Sequence, residues 1–290
     1  MFKAIDTSIN AFFPETSSRF SDLGLWKFLD DNPAFEGIGG ESWTEKIKRG
    51  WSPASIIEAM DNADIEKGFL ISSWVADGVG GKDMVTTAEE VAAVIDEYSD
   101  KFFGLVGVNP LNGMETIRYI DGAVNTYNFK GVHIYPHWFG LPVNDKKYYP
   151  IYSKCAELDI PICMQISMPT PASGAAFCGK PTFLDSVALD FPELRIVALH
   201  TGHPFEDELI MMCWAHENIY QIVDAFRPTM WPPALVNYIG TVGQDRVMWG
   251  SDFPIQEDLA MAVREVKEVI KDENIHRKIL RDNAIKCFKL

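Results

Sequence analysis

Four of the six histidines of this 290-residue chain sit in short polar clusters, where imidazoles meet hydroxyls, amides and carboxylates. His133 and His137 bracket Tyr135 in His133-Ile134-Tyr135-Pro136-His137, and His200 and His203 share His200-Thr201-Gly202-His203-Pro204. Gly250-Ser251-Asp252-Phe253-Pro254 offers a carboxylate, Asp6-Thr7-Ser8-Ile9-Asn10 a carboxylate, hydroxyls and an amide, and Gln165-Ile166-Ser167 a further amide. Imidazole and carboxylate together are the parts of general acid–base catalysis, typically worth about 10²–10⁴-fold in rate. A carboxylate beside an imidazole in a confined pocket holds one tautomer and favours the charged ring. The same groups bind divalent metals, which neutral hydroxyl and amide oxygens hold weakly. His216 and His276 fall on helical stretches and read as surface groups.

Each cluster follows a short apolar run. The runs are Ala4-Ile5, Gly68 to Ile71, Phe103 to Val108, Gly131 to Tyr135, Ile160 to Met164, Arg195 to Leu199, Ile219 to Val223 and Arg246 to Trp249. Their length and β-branched or aromatic content fit fully buried parallel strands. Helical patterns lie between them. Ser52-Pro53 is an N-cap with a first-turn proline ahead of Ile56, Ile57 and Met60, and Thr86 to Glu90 holds a capping box ahead of Val91, Val94 and Ile95. Tyr148 to Leu158, Pro204 to Trp214, Asp258 to Ile270 and a segment near 274–288 repeat the scheme. Strands alternating with helices, without a break in composition, predict an α/β fold: a single (β/α)8 TIM barrel spanning 1–290. Barrels of this kind place reactive groups at the carboxyl ends of their strands, where the polar clusters fall. A long excursion after the first strand, residues 11–52, is expected to cover the mouth as a lid or subunit contact.

Further candidates lie at the same face. Arg227, after the seventh strand, could clamp a carboxylate in bidentate fashion or form a surface salt bridge. Asp224 ends that strand and could simply hydrogen-bond inside the barrel. Trp74, Trp138-Phe139 and Trp231 could wall an apolar cavity and suggest a flat or hydrophobic ligand. Met164, Met168 and Met211 read as core. Gly37-Ile38-Gly39-Gly40 and Gly78-Val79-Gly80-Gly81 read as flexible loop tips, since neither has the order of a phosphate-binding loop, and Thr170-Pro171-Ala172-Ser173-Gly174, after the fifth strand, reads as a mobile loop beside the pocket.

Composition narrows the partners. A hydrophobic share of 47% and a charged share of 23% suit a globular protein. The formal net charge of −15 repels phosphate backbones and anionic membranes, so neither nucleic acid nor a membrane is expected as a partner. No run is long enough to span a bilayer, and the opening residues do not read as a signal peptide. Five scattered cysteines without CxxC spacing fit reduced thiols in a cytoplasm.

Ala198 to Pro204 and Trp249 to Pro254 resemble the sixth- and eighth-strand signatures of the amidohydrolase-related family, in its aminocarboxymuconate-semialdehyde decarboxylase-like branch. Gly131 to Pro136 and Ile160 to Gln165 occupy the matching fourth and fifth strands. The resemblance implies a divalent metal held by two histidines of a first-strand Asp-x-His-x-His, a fifth-strand histidine and an eighth-strand aspartate. Here those positions read Ser8, Asn10, Gln165 and Asp252, so no tightly bound metal or other cofactor is expected, with a divalent ion left as an alternative. The resemblance gives His200 the role of general acid or base. The resulting expectation is a hydrolase or non-oxidative decarboxylase of a small aromatic or cyclic carboxylate compound. His200 and Asp252 would be catalytic, and Ser8, Asn10, His133, Tyr135, Gln165, His203, Arg227, Trp74 and Trp138 would bind substrate. Two alternatives stand beside it: a catalytically retired barrel that binds a ligand, and a metal enzyme with ligands relocated to His133, His137 and His200. The family also suggests a homo-oligomer.

Overall fold

The computed structural model describes residues 2–32, 40–76, 81–169 and 175–290. Gly37-Ile38-Gly39, Gly78-Val79-Gly80 and the loop from Thr170 to Gly174 lie outside the described residues. Among the described residues ten strands run in chain order: β1 Ala4–Asn10, β2 Ile65–Ser72, β3 Trp74–Ala76, β4 Asp83–Val85, β5 Phe102–Gly107, β6 Gly131–Ile134, β7 Ile162–Gln165, β8 Ile196–Leu199, β9 Ile219–Val223 and β10 Val247–Trp249. Eight of them form one parallel sheet in the order β1-β2-β5-β6-β7-β8-β9-β10, matching the eight expected runs. β3 and β4 make a small antiparallel hairpin beyond the end of β2.

The first and last strands close the ring without a regular ladder. Thr7 Oγ1 donates to the Trp249 carbonyl at 2.8 Å, Asn10 N–H to Phe253 O at 3.0 Å, and Phe253 N–H to Ser8 O at 3.3 Å. Gly250 permits this approach, since a Cβ there would lie 2.9 Å from the Cβ of Ser8. Closure therefore brings the polar end of β1 against the loop that carries Asp252.

Helix starts follow their caps. Ser52 accepts the Ser55 N–H ahead of helix Pro53–Asn62, Thr87 and Glu90 complete the capping box of Ala88–Glu97, and Asp258 caps Leu259–Val269. The closing segment is three pieces, Glu273–Arg277, a π-helical Lys278–Asp282 and Asn283–Phe288. The 11–52 excursion carries the short helices Ser17–Phe20, Gly24–Asp30 and Trp43–Arg49. Phe12 packs on Phe20 at 5.0 Å and edge-on to Trp26 at 5.8 Å, forming an aromatic cover at the strand ends.

Some side chains depart from expectation. Met164 is core, but Met168, beyond the end of β7, and Met211, on the face of helix Glu206–Ala215 turned away from Leu209, Met212 and Cys213, are exposed. His276 is buried, with Nε2 against the Ile270 carbonyl, and His216 pairs with Asp185 at 2.8 Å with only 11% of its side chain exposed. All five cysteines are unpaired and buried. No helix among the described residues is long and apolar enough to cross a membrane.

Candidate active site

The carboxyl ends of the strands surround a cavity that, with its mouth, encloses 520 Å³. Its polar wall is Asn10 from β1, Ser73 after β2, Tyr135 after β6, Gln165 at the end of β7, His200 after β8 and Asp252 after β10. Trp138 stands in the wall without filling the space, and Phe12, Phe20, Leu23, Leu25 and Trp26 of the excursion supply the apolar side. Six of the eleven residues expected at the site thus meet on one cavity: Asn10, Tyr135, Trp138, Gln165, His200 and Asp252.

The other five do not reach it. Ser8 and His133 lie beneath the wall, 0% and 1% exposed, because strand alternation turns them inward but one layer deeper than Asn10 and Tyr135. His203 faces outward, its ring on Phe226 and Nδ1 2.8 Å from Glu206. Arg227 forks onto Glu265 of helix Leu259–Val269, which corrects the expected carboxylate clamp. Trp74 lines a separate groove with Tyr119 and donates to Asp83 at 2.6 Å, and Trp231 donates to the Phe226 carbonyl.

Backbone geometry marks the same strand ends. His200, Thr201, Ala225 and Asp252 adopt left-handed φ of 61°, 61°, 62° and 52°. Such conformations cost about 1–3 kcal/mol each in residues with a Cβ and gather where side chains must be aimed. Asp224 organises the turn after β8: its Oδ1 accepts the His200 N–H at 2.5 Å and its carbonyl accepts the Thr201 hydroxyl at 2.9 Å. Asp6, beneath Asn10, accepts the N–H groups of Ser8 and Ser251. Neither aspartate stood out in the sequence as more than a polar strand end. A carboxylate closing the apolar run Ile219 to Val223 was the available signal for Asp224.

Burial governs the protonation of these groups. It raises the Asp252 carboxyl to about 7, against the lowering effect of the Asn10 amide, with Asp6 adding repulsion. Asp6 rises to about 6 for the same first reason, and Asp224 rises well above the carboxylate range through burial and the neighbouring Asp252. Burial lowers His133 and His200 to about 3, each with a second histidine nearby, so both rings are neutral at pH 7. The Ser167 hydroxyl donates to Met168 O at 2.9 Å and stands 3.4 Å from His200 Nδ1. With its hydrogen so used, its oxygen accepts from Nδ1–H, and the Nε2 lone pair faces Asp252 Oδ2 at 3.9 Å. That gap exceeds a direct hydrogen bond and admits one bridging water.

The metal set implied by the family resemblance does not fit. The Asn10 amide donates to Asp252 Oδ1 at 2.9 Å and to Phe253 O at 3.0 Å, so it presents N–H groups where a metal needs a lone pair. The relocated set fails too, since His137 directs both ring nitrogens at the Ala175 and Ser167 carbonyls. Among the described residues one other group could hold a divalent ion: ligand atoms of His200, Asp224 and Asp252 all lie within 4.8 Å of one another. Asp224 Oδ2, Asp6 Oδ2 and Gln165 Oε1 are buried without a hydrogen-bond partner among the described residues.

Comparison with known proteins agrees with this architecture. A protein of Bordetella bronchiseptica described as an uncharacterized TIM-barrel superposes with a TM-score of 0.79 at 21% identity, covering 99% of each chain. The 5-carboxyvanillate decarboxylase of Novosphingobium aromaticivorans, complexed with manganese and 4-hydroxy-3-methoxy-5-nitrobenzoic acid, does so at 0.74 and 18% identity, covering 100% of this chain and 96% of that one. At such identities the likeness carries the fold. A 130-residue stretch is 28% identical to the 2-keto-4-carboxy-3-hexenedioate hydratase of Sphingobium sp., spanning 39% of this chain and 38% of that relative. The family model described as Amidohydrolase matches residues 52–290. The resemblance read from the strand-end motifs is thereby borne out, and the chain belongs to the amidohydrolase family.

Proposed function

We propose that this enzyme hydrolyses a small, ring-bearing acyl compound by general acid–base catalysis at His200 and Asp252, without a tightly bound metal. The observation that carries the reading is the pairing of a neutral imidazole, its Nε2 free, with a carboxyl raised to about 7, 3.9 Å apart on one cavity wall. A group whose pKa lies near the working pH is the best placed to give and take protons. His200 Nε2 takes a proton from water as the water oxygen adds to the carbonyl carbon. Asp252, in its acid form, delivers a proton to the leaving oxygen as the acyl–oxygen bond breaks. The resulting imidazolium and carboxylate exchange one proton and the pair is restored. Without a Lewis acid this chemistry suits activated acyl groups such as lactones and enol esters. The hydroxyls of Tyr135 and Ser73, hydrogen-bonded at 3.1 Å, and the Gln165 amide would orient the substrate.

A second reading, non-oxidative decarboxylation of an aromatic carboxylate, has support in the manganese-bound decarboxylase of the same fold and in the His200, Asp224 and Asp252 group. An ion held there would supply charge stabilisation to the reacting oxygen.

Turnover of a panel of lactones, enol esters and aromatic acids, before and after chelation, decides between the two. The expected result is lactone or ester hydrolysis that survives chelation and falls at least about 100-fold in His200→Ala and Asp252→Asn. Turnover that appears only with added Mn²⁺, or carbon dioxide release from an aromatic acid, overturns the hydrolytic reading.

A further inference from the structure

The wall of the cavity holds carboxyl, imidazole, amide, hydroxyl and aromatic groups, and among the described residues no lysine or arginine. The segments 33–39, 77–80 and 170–174 contain neither residue in their sequence. The cations next to wall residues in the sequence are paired outside the wall: Arg19, beside Phe20, with Glu90 at 2.7 Å, and Lys27, beside Trp26, with Asp31 at 2.7 Å. Arg227 is forked onto Glu265, and Lys46, 1% exposed, is paired with Glu257 at 2.5 Å. Behind the wall stand two more buried carboxyl groups, Asp6 and Asp224.

From this composition we infer that the substrate carries no negative charge where it contacts the protein: the site takes an uncharged ring compound, with its acyl group on the polar wall and its ring against Phe12, Trp26 and Trp138. A carboxylate entering the cavity gives up its water and finds no cation to replace it. It also meets Asp252 at contact distance in a setting where like charges are poorly screened. An uncharged carbonyl needs only hydrogen-bond donors, and the Tyr135 and Ser73 hydroxyls and the Gln165 amide stand in the wall. Aromatic faces and edges then contribute area without charge. This selection runs against the expectation of a carboxylate substrate, whose clamp, Arg227, is turned away.

The inference rests on the hydrolytic reading for its acyl group, but its test is one of binding. Paired carboxamides and carboxylates on phenyl, furan and pyrone rings are titrated calorimetrically at pH 8 into the chelator-treated enzyme and its variants. The expected result is at least about tenfold tighter binding of the carboxamide in each pair. Asp252→Asn should narrow that ratio. Leu25→Lys, at a half-buried position in the wall, should create carboxylate binding where the wild type has little. A carboxylate that binds the wild type as tightly as its carboxamide overturns the inference, as does carboxylate binding that arises on adding Mn²⁺. Preference for the carboxamide without turnover of any ester would leave the charge selection standing and remove the hydrolytic reading instead.

Discussion

Arg227 shows how a residue's meaning depends on its partner. Its sequence position after the seventh strand suits a substrate clamp, yet its guanidinium forks onto Glu265, whose side chain is only 6% exposed. Truncating it removes the counter-charge of a nearly buried carboxylate rather than a substrate contact. Arg227→Ala is expected to lower unfolding stability by about 1–3 kcal/mol, the cost of leaving such a group unsatisfied. Its kcat/KM should stay within about twofold of wild type, since each tenfold would need 1.36 kcal/mol of lost transition-state contact. Urea denaturation and steady-state rates check both, and a tenfold fall in kcat/KM with unchanged stability would return Arg227 to the site. His200, Asp252, Asn10, Gln165, Tyr135 and Trp138 were legible because each ends or follows an apolar strand. Ser8 and His133 have the same parity as their neighbours, and only depth in the barrel, which no spacing encodes, removes them from the wall. Asp224 gains its place from adjacency of β9 to β8, a long-range fact.

The 11–52 excursion is tied to the catalytic face by one buried charge pair. Lys46 of helix Trp43–Arg49 reaches Glu257 of the loop after β10, and Trp51 donates to the same carboxylate at 3.3 Å. That loop also carries Asp252, so the contact fixes the apolar cover relative to a proposed catalytic residue. The length and glycine content of the segment pointed to a cover, and Phe12, Phe20, Leu23, Leu25 and Trp26 in the cavity wall bear this out. The clamp itself was not legible, because Lys46 reads as one of several basic residues on a solvated helix. Removing one partner of such a pair leaves the other charge partly buried, and Glu257 retains 19% exposure that softens the loss. Lys46→Met should therefore cost about 2–3 kcal/mol, and it should raise KM more than it lowers kcat, as the cover loosens while His200 and Asp252 stay in place. A stability change below about 0.5 kcal/mol would mean the pair carries no positioning role.

At the scale of the whole molecule the barrel was the most legible feature, because eight buried parallel strands impose continuous apolar runs with helices between them. Less legible was the charge state of its interior, which depends on what the fold buries together, and that state has a consequence for global stability. Asp6 and Asp252, raised to about 6 and 7, bind protons more tightly folded than unfolded. Their contribution is full below the unfolded value near 4 and is lost as pH rises through 6 and 7. His133 and His200, lowered to about 3, act in the opposite sense: their contribution is full above about 6.5 and is lost as pH falls toward 3. The two trends oppose each other between about pH 4 and 6.5, so the melting temperature should vary little there. Above pH 6.5 the histidines have finished titrating and the carboxyls have not, so stability should fall as pH rises to 8. Asp252→Asn removes one of those carboxyls while keeping its shape. The variant should be more stable than wild type at pH 8, by on the order of 4 kcal/mol for a carboxyl raised from near 4 to about 7, and about equal to it at pH 4. Thermal unfolding of both proteins from pH 4 to 9 checks the sign. A wild type that gains stability between pH 6.5 and 8, or an asparagine variant destabilised at pH 8, would place a compensating cation beside Asp252 and favour the metal-assisted reading over the acid–base pair.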